Sequence, residues 1–157
     1  MSLASFFGRG ADILPSLLDA GEVRMVTSGR IAIGLALREM GVGPGDTVLV
    51  PAYHSPSMIP PVHWCGASVV FYRVRPDSTV DLEDIAAKID AGVKAIMATH
   101  FFGFPQDLAP LRALSDAHGV KLLEAMSEVA PADIHDPQGV LLSPGSYNSA
   151  YFEHIFL

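Results

Sequence analysis

HFFGFPQDLAPLRALSDAHGVKLLE, residues His100 to Glu124, reads as a loop, a helix and a strand in succession. Leu108, Leu111 and Leu114 recur at helical spacing behind Asp107, and His118 and Gly119 supply the stop. Lys121 to Glu124 is then a short apolar strand that delivers an acid to its carboxyl end. In open α/β sheets, ligands sit in the crevice beyond the carboxyl ends of the strands. Chemistry is therefore expected around Glu124 and the residues that follow it.

Three more apolar runs, Thr47 to Val50, Ser68 to Arg73 and Ala95 to Thr99, are short and continuous, as central parallel strands are. Helical patterns lie between them. Arg30 to Met40 is stopped by Gly41, Gly43, Pro44 and Gly45, and its apolar residues nearly encircle it, which predicts burial. Pro56 to Cys65 follows a Ser55 cap, with Pro60 and Pro61 inside it, and Asp81 opens a helix through Ile89 with acids in its first turn. Strands alternating with helices predict an α/β protein: a three-layer αβα arrangement around a mostly parallel sheet. After Glu124 the pattern decays, leaving Val140 to Leu142 and Tyr151 to Leu157 as apolar patches.

The chain has 157 residues, enough for one continuous core, and half of them are hydrophobic. No run approaches the roughly 20 apolar residues of a membrane-spanning helix. Ten Lys and Arg are scattered among 17 Asp and Glu, for a net charge of −7, which argues against nucleic acid and anionic membrane as partners. A lone Cys65 and no leader-like start make the cytoplasm the expected location.

Thr27, Ser28 and Gly29 precede the first helix, where unpaired N–H groups and the positive end of the helix dipole suit a phosphate, with Arg30 adjacent. The same residues also suit an ordinary helix cap. Tyr53 and His54 follow one strand and His100 another, so each is a pocket candidate, although a ring after a strand also serves as wall packing. The six histidines show no i, i+4 pair and no Cys partner at ligand spacing, so no metal site is expected. No nucleophile elbow, Walker loop or GxGxxG fingerprint is present.

The order of these pieces resembles a known family. Ser28-Gly29, GVGPGDTVLVPAYH (Gly41 to His54), GASVVFYRV (Gly66 to Val74), VDLEDI (Val80 to Ile85), KAIMATHFFGFPQDLAPL (Lys94 to Leu111) and HGVKLLE (His118 to Glu124) resemble the DegT/DnrJ/StrS-type sugar aminotransferases over about residues 24 to 124. The resemblance implies the front of a fold-type-I large domain. It also implies pyridoxal 5'-phosphate (PLP) as cofactor, an amino-sugar substrate and a homodimer. By position it makes Ser28, Gly29 and Arg30 the phosphate turn and matches Tyr53 and His54 to the segment that sets a ring against the cofactor; His100, by its place after a strand, completes the cofactor-binding candidates.

Two departures oppose activity. Where the family reads Glu-Asp, this chain reads Glu124-Ala125, so the acid that holds the pyridine nitrogen protonated is missing. The family's Schiff-base lysine has no counterpart among Lys88, Lys94 and Lys121. The expectation is therefore an N-terminal segment (1–26), a partial, incomplete cofactor domain (27–124) and a divergent tail (125–157). It is an aminotransferase by family, truncated or degenerate and inactive in itself, with no catalytic residue assigned. The alternative is a noncatalytic module that pairs with a complete homologue.

Overall fold

The structure, a computed structural model, describes residues 23–101, 106–126, 140–142 and 153–156. The expected N-terminal segment and tail lie for the most part outside the described residues. In chain order the elements are β1 (Val23–Val26), α1 (Gly29–Glu39), β2 (Thr47–Pro51), a 3-10 turn (Pro56–Met58), α2 (Ile59–Trp64), β3 (Ser68–Tyr72), α3 (Leu82–Lys88), β4 (Val93–His100), α4 (Ala109–His118), β5 (Lys121–Met126), β6 (Val140–Leu142) and β7 (Glu153–Phe156). They build one sheet in the order β1-β7-β6-β5-β4-β2-β3.

Strands β3, β2, β4, β5 and β6 are parallel, and β7 runs antiparallel to both β6 and β1. By that double reversal β1 points the same way as the parallel strands. The N-terminus of α1, two residues after β1, therefore lies at the carboxyl edge of the sheet. The outer edge of β5 is paired with β6, so it is not the open edge that a sheet ending at Glu124 would present.

Helices cover both faces. Ala32, Ile33, Ala36 and Leu37 of α1 and Val62 of α2 pack with Val48, Val50, Ala95, Met97, Leu123 and Ala125 of the sheet. On the opposite face Ile85 of α3 and Leu111 of α4 pack with Leu49, Tyr72, Ile96, Ala98 and Leu122. Residue parity thus assigns each strand position to one layer. α1 is less enclosed than its composition predicts, because Ile31 and Leu35 are 41% and 40% exposed on its outer side.

Local chemistry fixes the boundaries. Ser28 and Asp81 cap α1 and α3 by accepting from the N–H groups of Ile31 and Asp84. Gly119 ends α4 in the left-handed conformation at φ 65°, which costs glycine little. The proline-rich helix is split into a 3-10 turn and a short α-helix, with Pro60 and Pro61 in the first turn, where no intrahelical N–H bond is lost.

Pro51 ends one ladder early. The N–H of Ala52 donates to Tyr72 O, in β3, at 2.8 Å. Successive N–H groups of a strand point to opposite neighbours, so the Pro51 nitrogen faces β4 and has no hydrogen to give. Pairing of β2 with β4 stops at Leu49 and Ile96, and the carbonyl of Met97 accepts instead from the Tyr72 hydroxyl at 2.8 Å. Tyr72→Phe leaves that carbonyl without its donor and is expected to cost about 1–3 kcal/mol in urea unfolding. Burial also raises the Tyr72 pKa well above the ordinary tyrosine range. The folded chain then keeps a proton that the unfolded chain releases above about pH 10. Stability is expected to fall as pH rises through that region, and more steeply in the wild type than in Tyr72→Phe.

Candidate functional site

From β2 the chain moves outward to β3, and from β4 it moves the other way to β5, so the strand order reverses between β2 and β4. Such a reversal is where α/β sheets place a crevice at the carboxyl edge, and the pairing of the two strands stops early here, at Leu49 and Ile96. Tyr53 and Phe101 flank this point with ring centroids 5.3 Å apart.

The sequence-predicted residues fall into three groups. Ser28, Gly29 and Arg30 form the start of α1 at the carboxyl edge. The Ser28 carbonyl accepts from Ala32 N and its hydroxyl oxygen accepts from Ile31 N at 3.4 Å, while Arg30 is exposed. The first N–H groups of a helix have no intrahelical acceptor, so those of Gly29 and Arg30 are directed outward, as an anion requires.

Tyr53 is 58% exposed, with its ring against that of Phe101. His54 is directed elsewhere. Its ring stacks on Phe71 of the edge strand β3, with centroids 4.9 Å apart and planes at 15°. Its Nδ1 lies 3.0 Å from Pro51 O and 3.1 Å from Ala52 O. Carbonyls only accept, so Nδ1 carries the hydrogen, and the ring braces the turn after β2.

His100 goes to the other face. Thr99 belongs with Ala95 and Met97 on the α1/α2 side, where its hydroxyl meets Met58 Sδ at 3.9 Å. His100 belongs with Ile96 and Ala98 on the α3/α4 side, buried beside Glu124 and separated by the sheet from the α1 N-terminus. Glu124, the acid that marked the strand end in the sequence, also lies on that back face, within 3.9 Å of Arg112 of α4. Ala125, 2% exposed, takes the front position at the end of β5.

All three lysines lie away from the crevice. Lys121 opens β5 and Lys94 is the second residue of β4, both near the amino edge. Lys88 closes α3 and pairs with Asp84. Sequence reasoning did not find Gln106, Arg112 or Tyr72 as partners of the strand ends. Strand parity was the available signal, but β4 is apolar on both faces and gives no direction. Among the described residues, no group of three or more His, Cys, Asp or Glu could hold a metal ion, and no helix is long and apolar enough to cross a membrane.

Comparison with known proteins agrees with this architecture. The chain is 36% identical over 104 residues to GDP-perosamine synthase of Vibrio cholerae, a match covering 66% of this chain and 28% of that protein. Among solved structures it superposes on 3-amino-5-hydroxybenzoic acid synthase with a TM-score of 0.78 at 26% identity, covering 86% of this chain and 38% of the other. It superposes on NtdA of Bacillus subtilis with bound cofactor PMP with a TM-score of 0.62 at 26% identity, covering 65% and 24%. The chain thus spans less than two fifths of each of these proteins. The family model for the DegT/DnrJ/EryC1/StrS aminotransferases matches residues 14–140, beyond both ends of the resemblance read from the sequence motifs. This chain belongs to the DegT/DnrJ/EryC1/StrS aminotransferase family.

Proposed function

We propose that this chain is the phosphate-anchoring part of a PLP-dependent sugar aminotransferase, and that these 157 residues do not complete the transfer site. The observation that carries the reading is the start of α1. Ser28, Gly29 and Arg30 bring outward N–H groups, a hydroxyl and an exposed cation to the carboxyl edge in a member of this family. The PMP bound by NtdA supports the choice of cofactor. When bound, such a cofactor supplies the electron sink for moving an amino group to a keto sugar.

The phosphate end of the cofactor fits this chain. Gly29 has no side chain to obstruct an anion, and Tyr53 offers a ring beside the crevice. The ring-nitrogen end does not fit, because Ala125 carries no charge, and the aldehyde group finds no lysine at the carboxyl edge. Anchoring is therefore assigned here, and no chemical step is.

Equilibrium dialysis with PLP tests the reading. Binding is expected to be competed by inorganic phosphate and to weaken at least about tenfold in Gly29→Asp, which sets a carboxylate where the anion would lie. An acid in the first turn favours the helix, so the variant is expected to fold. PLP binding that resists both phosphate and the substitution would sink the proposal.

A second reading, pairing with another copy or a complete homologue, is favoured by one surface. Ile31 and Leu35 lie one turn apart on α1, and Trp64 at the end of α2 packs near Gly34, yet all three are exposed, at 41%, 40% and 53%. Sedimentation is expected to show an associating species that Leu35→Glu dissociates.

A further inference from the structure

β4 and β5 end side by side, and their parity sends His100 and Glu124 together to the α3/α4 face. The backbone N–H of Gln106 donates to His100 Nδ1 at 2.8 Å. That atom accepts only when it carries no hydrogen, so the ring hydrogen sits on Nε2, 3.5 Å from Glu124 Oε2. Arg112 Nη2 lies 3.9 Å from the other carboxylate oxygen.

Gln106 is also fixed through its side chain. Its amide nitrogen donates to Thr99 O, and its amide oxygen accepts from Val80 N at 3.0 Å. One glutamine therefore ties the last residues of β4 to the segment before α3. Phe101 follows His100 directly, is buried, and its ring meets Tyr53 on the crevice side.

We propose that His100 and Gln106 are positioning residues for the cofactor site: anchored from the back of the sheet, they fix the direction in which the chain leaves β4 and so hold Phe101 against Tyr53. The proposal rests on the reading that the carboxyl edge binds PLP. The important atom is His100 Nδ1, because only an acceptor there holds the Gln106 N–H. Glu124, through Nε2, keeps the ring in the tautomer that leaves Nδ1 open, and Arg112 holds Glu124 in turn.

Three substitutions separate these roles. His100→Ala removes both ring nitrogens, and His100→Asn returns an acceptor near the Nδ1 position. His100→Gln extends its amide toward the Nε2 position and leaves the Gln106 N–H without a partner. In NMR, His100→Ala and His100→Gln are expected to lose the Tyr53–Phe101 ring NOE, to speed Gln106 amide exchange about tenfold or more, and to weaken PLP binding about tenfold, with His100→Asn restoring all three.

A role in stability alone predicts that Asn and Gln behave alike, and that result overturns the proposal, as does an Nδ1–H tautomer in the ring nitrogen shifts. Should His100→Ala fail to fold, the Asn and Gln pair carries the test. A wild-type chain that binds no PLP overturns the cofactor reading and the functional half of this proposal. The NOE and exchange measurements still decide, on their own, whether the latch exists.

Discussion

Glu124→Ala is expected to lower the stability of the chain by about 3 kcal/mol, measured by urea unfolding. The Glu124 side chain is 10% exposed and has a histidine N–H facing one oxygen and a guanidinium near the other. Removing it takes away the acid beside the His100 N–H and one charged neighbour of Arg112. Arg112 keeps 22% of its side-chain surface exposed, so water recovers part of the loss, and the low end of the range for a broken buried pair applies. Glu124→Gln keeps the shape and an acceptor for His100 and is expected to cost only about 1–2 kcal/mol. Replacing both partners, in Glu124→Leu with Arg112→Met, is expected to recover only part of the loss, because the buried His100 N–H still faces no acceptor. A loss below about 1 kcal/mol in Glu124→Ala would show that the carboxylate is solvated and that its strand-end position does not matter to the fold.

The central elements were legible because their signals are local. Asp81 before an acidic first turn, Gly119 after the α4 periodicity, and glycines after Met40 each act within a few residues, and the structure uses them as expected. β1, β6 and β7 were not assigned as strands from sequence. Val23–Val26 and Glu153–Phe156 are four-residue segments with charged or polar residues among the apolar ones, and each is a strand because the other lies beside it. That pairing is tertiary, and no window of sequence contains it.

The site was half legible for a related reason. Strand ends are visible in sequence, so Tyr53, His54 and His100 were all found near the carboxyl edge. The face each residue takes is another matter. β4 is covered by helices on both sides and is apolar at Ala95, Ile96, Met97 and Ala98 alike, so its pattern does not show that Thr99 faces α1 and α2 while His100 faces α4. Pro51 and Tyr72 give a similar case: the proline in the ladder was visible, but the hydroxyl that replaces its missing N–H comes from a strand 21 positions later and one place across the sheet.

Incubating the chain with stoichiometric PLP and then borohydride is expected to leave no cofactor covalently attached, as read by mass spectrometry of its lysine-containing peptides. Lys121 stands five residue steps from Met126 along β5, or about 17 Å at the strand rise, and Lys94 is at least as far from His100 along β4. Lys88 is held by Asp84 at the end of α3. None of the three amines reaches a group bound at the carboxyl edge, where the helix start would hold it. Stoichiometric attachment to any one of them overturns the assignment of anchoring without chemistry. The same cofactor tests the front position on β5. Ala125→Asp puts a carboxylate where 2% of the residue is exposed and is expected to cost about 3 kcal/mol in the free chain. If the ring nitrogen of bound PLP faces this position, its positive charge pairs with the new acid. PLP at about 100 times its Kd then raises the unfolding midpoint of Ala125→Asp by more than the roughly 2.7 kcal/mol equivalent set by occupancy in the wild type at the same concentration. Equal displacement of the two midpoints would mean that residue 125 does not face the ring.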